Sequence, residues 1–103
     1  MAKSSAPKRH RSVDVLGTPV KIRYRKGLEC EEGEEMDGLF IPQDLTIILN
    51  TDRKDIPDIL LHEFLHGVFL ISGVHNLITI EIEEAIIDAT VSALKGKVDL
   101  FKK

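Results

Sequence analysis

Leu60 to Leu70 reads LLHEFLHGVFL, and three of its side chains, His62, Glu63 and His66, can do chemistry. Histidines four residues apart stand one turn above each other on a helix, so both imidazoles can reach a single metal ion. Glu63 projects from the adjoining flank, where a carboxylate can contact a metal-bound water without displacing it. A zinc ion held this way lowers the pKa of its water toward ~7, and the glutamate takes the proton as that water attacks a carbonyl. The neighbours include Ile59, Leu60, Leu61, Phe64, Leu65 and Val68, so the helix is apolar nearly all round and must be buried. Unpaired polar groups there would cost roughly 1–3 kcal/mol each, and one shared metal accounts for all three.

A catalytic zinc needs a third protein ligand and an open fourth position. The glycine and third histidine that some HExxH enzymes place after the motif are absent, because Phe69 and Ser72 stand there. His75, nine residues past His66, falls beyond the helix and reads as a surface residue. Glutamate is the better source, from a second helix that opens with Glu81-Ile82-Glu83-Glu84. Glu83 falls within an arc shared with Ile86, Ile87, Thr90 and Leu94, where a carboxylate without a partner is costly. Glu84 shares its side with Asp88 and Lys95, an ordinary solvated arrangement at helical spacing. Position on the helix face favours Glu83 slightly and leaves Glu84 open. For either one, an acidic first turn serving the helix dipole is the plainer role.

Positioning these groups requires two helices. The first is expected from about Ile56 to Ser72, with Thr51, Asp52 or Asp55 as N-cap, Pro57 in the first turn and Gly73 at the C-cap. The second is expected from a cap at Thr79 to about Lys95, stopped by Gly96. Its apolar set, Ile82, Ala85, Ile86, Ala89 and Ala93, recurs at three and four. Upstream, Val13–Leu16 and Val20–Arg25 alternate around a turn at Gly17-Thr18-Pro19, which makes a β-hairpin with Lys21, Arg23 and Arg25 on its wet face. Leu39–Ile41 and Leu45–Leu49 flank Pro42-Gln43-Asp44 as a second hairpin, with Leu45, Ile47 and Leu49 turned to the core. Between the hairpins, GLECEEGEEMDG carries six acidic residues and reads as an exposed loop whose spacing matches no EF-hand.

At 103 residues the chain fits one domain, over 12–103, preceded by a basic arm at 1–11 with Lys3, Lys8, Arg9 and Arg11. The net charge of −3 argues against nucleic acid as the main partner, leaving only the arm and the Lys21/Arg23/Arg25 face for weak association. The single cysteine, Cys30, excludes an internal disulfide and a cysteine-rich metal knuckle. No apolar run approaches the ~20 residues of a membrane span, and no signal-type segment follows the basic arm. The expectation is a cytoplasmic α+β protein, a small sheet of two hairpins packed on two main helices.

These pieces resemble a minimal gluzincin-type metallopeptidase domain. They are most similar to the small HExxH proteins of bacteriophages and prokaryotes and to the ImmA/IrrE-like regulatory metallopeptidases. The likeness rests on Ile47-Ile48-Leu49, Leu60–His66 and Glu83-Glu84-Ala85-Ile86, and spans about residues 36–95. It implies one zinc ion on His62, His66 and Glu83 or Glu84, with Glu63 as general base and a peptide or protein substrate. The run Glu84-Ala85-Ile86-Ile87-Asp88 is also similar to the Glu-x-x-x-Asp signature of thermolysin-like enzymes. That likeness favours Glu84 as ligand and implies that Asp88 orients a zinc-bound histidine. The larger subdomain of full-sized gluzincins has no counterpart here. A non-catalytic zinc-binding interaction module, a phage structural or a regulatory protein, is the alternative.

Overall fold

The first hairpin closes more tightly than its sequence indicates. Strand β1 (Ser12–Val15) pairs antiparallel with β2 (Thr18–Arg25), and the turn is Leu16-Gly17, both with positive φ (53° and 84°). Two left-handed residues give the turn a twist that matches the strands it joins, at the cost of placing a leucine there. The Gly17 amide donates to Asp14 Oδ2 at 3.0 Å, and Thr18 and Pro19 belong to β2 instead of the expected turn. These are the findings of a computed structural model, which describes residues 10–100. The basic arm expected at 1–11 lies, except for His10 and Arg11, outside the described residues.

The second expected hairpin is also present. Strands β3 (Gly38–Ile41) and β4 (Thr46–Asn50) pair antiparallel across a single 3-10 turn, Pro42–Asp44. The two hairpins then join through a parallel pairing of β2 with β4, Lys21 opposite Thr46 through Arg25 opposite Asn50. The sheet is therefore mixed, in the order β1-β2-β4-β3, with β3 at one edge. The chain passes from β2 to the far edge through the acidic segment. Asn50, fully buried at the end of β4, anchors that crossing by donating from Nδ2 to the Met36 carbonyl (2.8 Å) and accepting from the Asp52 amide (2.9 Å). A buried amide with both ends satisfied is strongly position-specific. The six acidic residues of the segment are exposed as expected, while Leu28 and Gly38 are buried.

One face of the sheet carries Val15, Val20, Ile22, Ile47 and Leu49, and on it lies helix α1 (Ile56–Ser72) through Ile59 and Leu60. Lys21, Arg23 and Arg25 are exposed on the opposite side, as the alternation requires. Helix α1 begins after Asp55, which makes no side-chain cap, and ends at Gly73 in the left-handed conformation (φ 88°). Helix α2 (Ile80–Leu94) begins at Thr79, whose Oγ1 accepts from the Ile82 amide at 3.2 Å.

The face of α2 is a correction. The apolar set expected to bury, Ile82, Ala85, Ile86, Ala89 and Ala93, faces solvent, with Ile82 49% and Ile86 44% exposed. The buried residues are Glu83 and Ile87. The sequence offers α2 two stripes of similar greasiness, and polar contacts to α1 select the one bearing Glu83. Among the described residues, no helix is long and apolar enough to cross a membrane.

Candidate metal centre

Helical spacing and burial place the motif as its pattern requires. His62 and His66 stand on the side of α1 that meets α2, their ring centroids 5.0 Å apart and the rings steeply inclined at 67°. From α2, Glu84 reaches between them. Its Oε1 lies 3.5 Å from His62 Nε2 and its Oε2 3.4 Å from His66 Nε2. One ligand atom each from His62, His66 and Glu84 fall within 4.8 Å of one another. Two nitrogens and a carboxylate oxygen, half-buried and converging from two helices, make a set of the kind that binds zinc with a coordination position to spare.

Glu83, the residue toward which the helix-face argument leaned, does something else. It is 2% exposed, as that argument required, but its partners are imidazoles. Oε2 accepts from His66 Nδ1 at 2.6 Å, and Oε1 accepts from His75 Nδ1 at 2.7 Å. An ionised carboxylate only accepts, so it holds the proton of His66 on Nδ1 and leaves Nε2 with its lone pair turned to Glu84 and His62. Burial works to raise the Glu83 carboxyl, but hydrogen bonds from His75 and His66 outweigh it and hold it below the ordinary range. Of the two glutamates the sequence left open, Glu84 is the one gathered with both imidazoles. Asp88 lies one turn further on, its Oδ1 3.6 Å from His62 Nδ1, an electrostatic contact longer than a hydrogen bond.

His75 reads from the sequence as a surface residue, yet the structure joins it to this cluster. Gly73, in its left-handed conformation, turns the chain into a short 3-10 segment (Val74–Asn76) that folds His75 back onto Glu83. The available signal was that glycine, since a chain reversed at Gly73 passes beside the start of the next helix.

Glu63 occupies the side of the cluster facing the sheet. It is 7% exposed, its carboxylate has no hydrogen-bond partner among the described residues, and burial pushes its pKa up to about 7. The His66 ring opposes that rise, and the negative charges of Glu84 and Asp37 add to it. A carboxylate poised near neutrality can both take and return a proton. Burial lowers the pKa of His62, with His66 acting in the same direction, so the His62 ring favours the neutral, ligating form. Strand β3 closes tightly against this side. A Cβ on Gly38 would meet Ile59 Cγ2 at 2.8 Å and both Cγ and Oε2 of Glu63 at 3.3 Å.

Two cavities open on the cluster. One, of about 370 Å³, is lined by Phe40, Leu70 and Ile80 beside His66, Glu83 and Glu84; the other, of about 400 Å³, by Asp37, Asp55, Asp58 and Val91. His62, Glu63, Gly38 and Met36 border both.

Comparisons of the chain with protein-family models, curated proteins and solved structures return no match. The reading of this centre therefore rests on its geometry.

Proposed function

We propose that the protein is a zinc-dependent peptidase of minimal size, with His62, His66 and Glu84 as metal ligands and Glu63 as general base. The observation that carries the reading is the convergence of three ligand atoms within 4.8 Å, from residues spaced as HExxH plus a glutamate on the following helix. When bound, the ion would supply an acidified water and polarise the substrate carbonyl. The chain's own residues do the rest. Glu83 fixes the tautomer of His66 while His75 occupies its other oxygen. Glu63 stands where it can accept a proton from an attacking water and later return it to the leaving amine. Strand β3, an edge strand, offers its free side to an extended substrate.

Two measurements test this. Metal analysis of untagged protein should give one zinc per chain, and wild-type protein should cleave a mixed peptide pool that Glu63→Gln protein, still loaded with zinc, leaves intact. Equal cleavage by the variant removes Glu63 as base, and failure to hold zinc removes the whole reading.

A second reading follows from the outward face of α2. Exposed Ile82 and Ile86 on one stripe with Ala85 and Ala89 suit contact with another protein, so a zinc-stabilised interaction module is the rival. A fourth protein ligand closing the metal, with no water on it, would favour that module over the peptidase.

A further inference from the structure

The two cavities differ in chemistry and share a border at His62 and Glu63. Toward the end of β3, beyond the ionisable groups His66, His75, Glu83 and Glu84, the trough is walled by Phe40, Pro42, Leu70 and Ile80. Toward the start of β3 and of α1, it is acidic, with Asp37, Asp55 and Asp58 on its walls. Arg53 neutralises Asp37 through a 2.6 Å contact to Oδ1 and also reaches Glu35 at 3.3 Å. Among the described residues neither Asp55 nor Asp58 is in an ion pair, with Lys95 and Lys97 across a further cavity that Asp58 also borders, and Asp55 does not spend its carboxylate on capping α1. The Glu63 side chain, 7% exposed and without a hydrogen-bond partner among the described residues, lines the same space. A groove with carboxylates outside any ion pair at one end and apolar side chains at the other is selective by physics alone. It attracts a cation to the first and releases water from the second.

Resting on the peptidase reading above, we infer that the cleft takes an extended peptide with lysine or arginine at the Asp55/Asp58 end and a bulky apolar residue at the Phe40/Leu70/Ile80 end, the bond to be cut lying between them over His62 and Glu63. Val91 and Ile59 wall the acidic cavity and suit the methylene stem of a long cationic side chain.

The test is binding to the full-length, zinc-loaded chain. The probes are phosphinic peptides in which a phosphinate replaces the scissile amide, with leucine on one side and lysine, norleucine or glutamate on the other, each made in both orders. In one order, the lysine probe should bind about fivefold or more tighter than norleucine, and the glutamate probe weaker than either. Exchanging the leucine for serine should cost about tenfold. The Asp55→Asn/Asp58→Asn variant should abolish the charge preference while zinc content stays unchanged. Equal affinity of the lysine, norleucine and glutamate probes in both orders overturns the inference and leaves the metal centre standing, as does a preference that survives the double variant. Zinc-loaded protein that binds none of the phosphinates, or protein that binds no zinc, overturns the metal-centre reading and the inference with it.

Discussion

Two clusters in this chain each set carboxylates against basic side chains and come to opposite ends. At the surface, Arg53, just after β4, pairs with Glu35 and Asp37 of the acidic crossing between β2 and β3, and both carboxylates are well solvated. Between α1 and α2, His62, His66, His75, Glu63, Glu83 and Glu84 meet where Glu63 and Glu83 are almost sealed from water. In the first cluster, water screens each charge, so the pairs tidy a loop. In the second, burial makes every charge conditional on a partner, so protonation states become properties of the architecture. Acidic residues crowd the surface segment more densely than they do the helices. Density of charge therefore locates solvent, while charge in an apolar setting locates chemistry.

The largest expected effect breaks the buried cluster outright. His66→Ala should lower zinc affinity by about 10³-fold or more, read by competition with a chromophoric chelator, since a catalytic site has only three protein ligands to lose from. Glu83→Gln keeps the shape but weakens the acceptor for both histidines, and should cost about 10–100-fold in the same assay. A Glu83→Gln protein that binds zinc as tightly as wild type would show that Glu83 merely fills space.

Gly38→Ala attacks the wall between sheet and cluster. The added methyl meets Ile59 and Glu63, and chemical denaturation should show a loss of about 1–3 kcal/mol. Next in size is a pH effect in the metal-free chain. The folded pKa of Glu63, about 7, is raised above its unfolded value, so the fold binds that proton more tightly than the open chain does. No penalty exists below the unfolded pKa, and stability falls as pH rises from there through about 7. Glu63→Gln should therefore match wild type near pH 4 and exceed it by up to about 2 kcal/mol near pH 8. A constant difference across that range would mean the carboxylate is better hydrated than its burial indicates. Smallest is Arg53→Ala in the surface cluster, which should cost under about 1 kcal/mol and less still in high salt.

Much of this was legible in the sequence because it is local. The 3.6-residue apolar period, Pro57 in the first turn and Gly73 beyond the last fixed α1 to Ile56–Ser72, and Thr79 marked the start of α2. Alternation and turn residues gave both hairpins, although the first turn sits one residue earlier than Gly17-Thr18-Pro19 suggested, because paired left-handed residues match the strand twist better. The parallel β2–β4 pairing was not legible, since each strand alternates in the same way whichever neighbour it takes. The rotation of α2 was not legible for a related reason. Ile82, Ile86 and the alanines promise as much apolar burial as Ile87, Val91 and Leu94, and the contacts of Glu83 with His66 and His75 break the tie.

The order of residues in this chain thus set which side chains could share a metal, because helical spacing alone stacks His62 over His66 with Glu63 alongside. Tertiary structure set the division of labour among the glutamates: Glu84 toward the cluster, Glu83 beneath it. Adjacent residues on a helix point about 100° apart, so a modest rotation of α2 exchanges their surroundings. That rotation is fixed by contacts with His66 and His75, which no periodicity within α2 encodes.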